Sequence, residues 1–110
     1  MMISIKVPKW NVKELCGYEP MTTFWEDFSI AERFGCDAIR DTYKRAFSEW
    51  KSNYKYLTEL VMVLNHKISS YYPDNMEYAK LYNRLYLETD RYACDNLQGD
   101  ELAYFYQITD

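Results

Sequence analysis

A chain of 110 residues with 48% hydrophobic residues fits one domain and can fill one core. Its 27% charged residues set it apart from disordered segments, and 3 Gly with 3 Pro is too little punctuation for a many-stranded sandwich. A net charge of -4 argues against general nucleic-acid binding, whose affinity comes largely from Lys and Arg neutralising phosphates.

The first residues, MMISIKVPKW, place their basic side chains after a short apolar stretch and offer no small-residue cleavage site. That is the wrong order for a secretion signal and predicts a cytoplasmic protein. Ile3 to Val7 alternates β-branched residues and reads as a short strand stopped at Pro8. A lone strand either pairs with a second copy of the chain in a homodimer, pairs with another extended segment, or stays frayed, and the rival to the dimer is an arm folded over the first helix in a monomer. Lys9 to Leu15 reads as one or two helical turns between Pro8 and Gly17. Residues 1–20 are thus expected to form a short irregular or strand-like arm ahead of a helical domain over residues 21–110.

From Thr23 onward the signals are helical. Thr23-Phe24-Trp25-Glu26 is a capping box, so a first helix starts near Phe24, repeats Phe24, Phe28 and Ala31 on one face, and ends at Gly35. Asp37 can cap a second helix whose stripe runs Ile39, Tyr43, Ala46, Phe47, Trp50 and Tyr54, with a break expected at Lys51-Ser52-Asn53. A third carries Leu57, Leu60, Leu64, Ile68 and Tyr71 and stops before Pro73. Its longest apolar run, Leu60 to Leu64, is far short of the ~18 residues a membrane span needs. Pro73-Asp74-Asn75 forms a turn and cap, and a fourth helix then runs to Gly99 with Tyr78, Leu81, Tyr82, Leu85, Tyr92 and Ala93 inward. A short helix from Glu101 closes the chain. The expected fold is all-α: an up-and-down bundle of about four main helices with the N-terminal arm.

The chemistry-bearing residues are sparse. Cys16, Cys36 and Cys94 form no C-x-x-C pair, which predicts free thiols rather than a disulfide or a zinc site. His66 projects opposite the apolar stripe of its helix, beside Glu59 and Met62, and is expected to be exposed. There is no phosphate loop and no H-E-x-x-H, so an enzyme is not expected, and no catalytic residue, metal or cofactor. Two features could carry binding. Trp25, Ile30 and Phe34 lie off the main stripe of the first helix, leaving it apolar almost all round, so that it is either sandwiched, with the N-terminal arm and Trp10 covering one side, or forms a protein interface. Arg40, Lys44, Lys51 and Lys55 are spaced along one edge of the second helix and could follow phosphates. The segment Ala38 to Lys55 holds five cations against two carboxylates, whereas Asp74 to Glu101 holds seven carboxylates against three cations, an opposition suited to attraction within the fold.

The segments TTFWEDFSIAERFG, DAIRDTYKRAFSEWKSNYKYLTELVMVLNHKI and GDELAYFYQITD resemble small proteins of unassigned activity carried on conjugative and other mobile elements of gut bacteria. The resemblance covers Thr23 to Asp110 and implies a cytoplasmic accessory to element maintenance, transfer or host interaction. The expected function is a non-enzymatic protein-interaction or regulatory module with an unidentified protein partner. The alternatives are a nucleic-acid-associated protein using the basic edge, and an acidic DNA mimic directed at defence proteins.

Overall fold

The computed structural model describes residues 20–109, so the strand expected at Ile3 to Val7 and the turn expected at Lys9 to Leu15 lie outside the described residues. The fold is all-α, with five helices and no strand among the described residues: α1 (Phe24–Ala31), α2 (Cys36–Trp50), α3 (Tyr54–Tyr71), α4 (Met76–Asn96) and α5 (Asp100–Thr109). No described helix is long and apolar enough to cross a membrane.

The central element is α3, which packs against all four other helices. Every residue from Leu57 to Leu64 is buried. A helix closed in on all sides must be covered on its polar side too, and two elements supply that cover. Tyr104 and Ile108 of α5 pack on Met62, and the segment leading into α1 bonds to Glu59. The expected exposure of His66 is also corrected. His66 is half-buried, and burial pulls its imidazole below its ordinary pKa.

Two cores flank this helix. The larger joins α1, α2, α3 and α4 through Phe28, Ile39, Tyr43, Leu60, Leu64 and Tyr82. The smaller joins α3 and the end of α4 to α5 through Leu57, Val61, Ala93, Leu97 and Phe105. The last helix is therefore a structural wall rather than a minor appendage. Along α4 the inward arc is as the periodicity predicts, with Leu81, Tyr82, Leu85 and Ala93 buried and Tyr78, Tyr86 and Tyr92 at its margins.

The breaks follow local chemistry. Asn53 ends the connection after α2, and its side-chain oxygen accepts from the amides of Lys55 and Tyr56. Asn75 does the same for Tyr78 at the start of α4. Gly35 is the N-cap of α2 at φ 110°, a conformation that disfavours any side chain, so its role lies at the start of α2 rather than at the end of α1. Asp37 falls inside α2 and pairs with Arg40 instead of capping. The capping box at α1 is also corrected. Thr23 occupies the N-cap position, but its hydroxyl donates to Asp27 rather than accepting from a first-turn amide.

This difference between caps is measurable. Asn75→Ala is expected to cost about 1 kcal/mol, the usual value of a working N-cap, whereas Thr23→Ala is expected to stay within about 0.5 kcal/mol of wild type. Denaturant unfolding of the two variants checks this, and equal losses would contradict the assignment.

Candidate interaction face between the first two helices

The site begins with what holds α1 in place. Its sequence, FWEDFSIA, turns Phe24, Trp25, Phe28 and Ala31 inward. One turn beyond Phe28, Glu32 points its carboxylate into the interior, where it meets Lys67 of α3. The Lys67 Nζ lies 3.0 Å from Glu32 Oε2, with the two side chains 1% and 6% exposed. The ammonium also donates to Ser29 Oγ at 2.7 Å and sits 3.8 Å from the centroid of the Trp25 ring. Ser29 in turn donates to the Trp25 carbonyl at 2.8 Å. The hydroxyls of Tyr71 (2.6 Å) and Tyr82 both donate to the Glu32 carboxylate, and that of Tyr78 donates to the Glu32 carbonyl at 2.9 Å.

A buried charge is tolerated only when it is paired and its hydrogen-bonding capacity is used, and this cluster meets both conditions. Burial lowers the pKa of Lys67 while the Glu32 carboxylate opposes that shift. Burial first, and then the hydrogen bond to Glu32 together with its charge, push the Tyr71 and Tyr82 phenols well above their ordinary range.

A second buried carboxylate, Glu59, anchors the chain just before α1. It accepts from the backbone amides of Met21 (2.7 Å) and Thr22 (2.9 Å) and from the Thr22 hydroxyl. Glu32, Glu59 and Lys67 were not singled out by the sequence reading. A signal was nonetheless present for Lys67, which falls seven residues after Leu60 and three after Leu64, inside the apolar stripe.

With both ends of α1 pinned, its outer edge and the adjoining face of α2 form a trough. A cavity of about 400 Å³ between Phe24, Ala46, Trp50 and Tyr56 shares Asp27, Thr42 and Arg45 with a cavity of about 320 Å³ between Ile30, Ala31, Phe34 and Ala38. The structure separates the three residues expected to form an interface. Ile30 is 54% and Phe34 77% exposed beside the trough, whereas Trp25 is buried under Lys67 and unavailable to a partner. The basic edge is not one continuous stripe. Arg40 and Lys44 are exposed on α2, Lys51 follows the end of that helix with its ammonium 5.6 Å from the Phe47 ring, and Lys55 belongs to α3, 6.0 Å from the Tyr54 ring. Arg40 is also paired with Asp37 at 2.8 Å.

Among the described residues no group of three or more His, Cys, Asp or Glu side chains is placed to hold a metal. Cys36 and Cys94 are free thiols. Burial and the Glu77 carboxylate raise the Cys36 pKa, so the thiol stays protonated at neutral pH. Comparison with protein-family models, curated proteins and solved structures gives no match to this chain.

Two outcomes follow from the buried cluster. Lys67→Met or Glu32→Leu alone is expected to cost about 3–5 kcal/mol, because each strands a buried charge, and the double variant less than the sum of the two. Additive losses in chemical denaturation would count against a coupled pair. In alkali, the raised phenol pKa values of Tyr71 and Tyr82 imply stability that is full below about pH 10, the ordinary tyrosine value, and lost as pH climbs above it. Spectrophotometric titration is expected to show part of the 12 tyrosines ionising near their ordinary value and the rest only together with loss of the helical signal. A single titration step of all phenols in folded protein would contradict this.

Proposed function

We propose that this chain is a non-enzymatic protein-interaction module that receives a partner on the trough between α1 and α2. The observation that carries the reading is the exposure of Ile30 at 54% on α1 and of Phe34 at 77% in the turn that follows it, beside a short helix anchored through buried bonds. Large apolar side chains held at the rim of a concave surface are how docking sites present anchors. The rigid support beneath them reduces the ordering cost on binding.

The setting we propose is cytoplasmic, as an accessory protein of a mobile element, on the strength of the resemblance noted for Thr23 to Asp110. The nucleic-acid reading has less support. Arg40 is engaged by Asp37, and the four cations are divided between α2, the connection after it and α3.

Affinity capture from host cells tests the proposal, with the wild-type chain and an Ile30→Ser/Phe34→Ser variant as paired baits. The variant is expected to keep its helical spectrum and thermal midpoint while losing a protein that the wild type retains. Identical captures would remove this face as the docking site, and retention of nucleic acid instead of protein would favour the rival reading.

A further inference from the structure

We propose that the occupant of the trough is a basic amphipathic helix of about three turns, supplied by a partner protein. This inference rests on the interaction-module reading and specifies its ligand. Three features of the trough select such a ligand.

The first is length. On α2 the lining runs from Ala38 through Thr42 and Ala46 to Trp50, recurring at four-residue steps on one helical face. Twelve residue steps at 1.5 Å each give a seat of about 18 Å, the length of a helix of about twelve residues. The second is depth. Ala31, Thr42 and Ala46 are already buried where α1 meets α2 and Ala38 is half-buried, so the floor is shallow and a third helix gains its apolar contact from Ile30 and Phe34, which project beside it. A helix laid into an apolar groove is read through anchors at three- and four-residue spacing, which matches a seat of this shape.

The third is charge. Asp27, Asp41 and Glu49 line the trough against the single cation Arg45. None of the three carboxylates forms an ion pair with another described residue. Arg45 reaches only the Thr42 hydroxyl at 3.5 Å, and Asp27 accepts a hydrogen bond from Thr23. Among the described residues the rim thus carries three carboxylates to one cation, in a chain whose net charge is -4. A ligand with an apolar stripe flanked by Lys or Arg meets both the exposed Ile30 and Phe34 and the acidic rim, and an acidic one is repelled.

The test uses the full chain and two stapled model helices of about twelve residues. They share a Leu stripe at three- and four-residue spacing, one flanked by Lys and the other by Glu. By fluorescence anisotropy the Lys-flanked helix is expected to bind at least about tenfold more tightly than its Glu-flanked counterpart, with an affinity that falls as salt rises. Asp41→Lys/Glu49→Lys in the protein is expected to weaken the Lys-flanked helix by about tenfold and to strengthen the Glu-flanked one. Phe34→Ala is expected to weaken the Lys-flanked helix by about tenfold through loss of an anchor. All three positions are exposed, and an unchanged circular dichroism spectrum verifies that the variants fold.

Equal binding of the two helices, or no binding of either, overturns the inference. So does self-association of the chain that Phe34→Ala abolishes, because a second copy then occupies the trough. If the model helices fail while Ile30→Ser/Phe34→Ser still loses its captured protein, the interaction reading survives and only the basic-helix ligand falls. If the capture is unaffected as well, both fall.

Discussion

The Glu32 carboxylate, shared by Lys67, Tyr71 and Tyr82 in the interior, is the constraint on which the arrangement of this domain depends. An eight-residue helix such as α1 is too short to be stable alone and takes its order from tertiary contacts. Apolar packing would bury its inward face without fixing how it rotates about its axis. The directional bonds at Glu32, together with those of Glu59 just before its first turn, fix that rotation from both ends. The consequence is positional. Trp25 is committed to the Lys67 ammonium, and Ile30 and Phe34 are left facing outward.

The tyrosine content has a matching explanation. A phenol fills a core as phenylalanine does and also carries a hydroxyl that can serve a buried acceptor. Tyr71, Tyr78 and Tyr82 all direct theirs to Glu32, and Tyr43 shares a 2.9 Å hydrogen bond with Thr89. The rings also connect the two cores. Tyr43 stacks on Phe47 at 5.7 Å, and Phe47 meets Tyr92 edge-on at 5.0 Å, so a continuous aromatic path runs from the α1 side of the molecule toward α5. The aromatic rings thus supply packing and polar satisfaction through the same side chains.

The helices were legible because each described stretch has one periodicity and chemically apt breaks, as at Asn53 and Asn75. What misled at Thr23 was a capping box whose local pattern was sound but whose role was taken by a distant residue. Glu59 lies in α3, and no spacing rule connects it to the amides of Met21 and Thr22. The same long-range cover hid the burial of Glu59 and Met62, since a helical wheel shows which residues share a face but not which faces are covered. Of the candidate site, Ile30 and Phe34 were visible as apolar residues off the main stripe. Trp25 shared that description, and only the position of Lys67 turned it inward. Asp41 and Glu49 are visible in the sequence only as a minority among five cations, and it is the fold that sets them beside Asp27 and apart from most of those cations.

The placement of Phe105 bears on the order in which this molecule can assemble. It is fully buried and closes the smaller core against Leu57, Val61 and Ala93, residues of α3 and α4 made long before it. During synthesis the most apolar stretch of the protein therefore emerges well ahead of the helix that covers its far side. The larger core can form as soon as α4 is complete, because Leu81, Tyr82 and Leu85 are the last residues it requires. The larger core is thus complete without α5, and until Phe105 seats on Leu57, Val61 and Ala93 that side of α3 presents apolar surface open to aggregation.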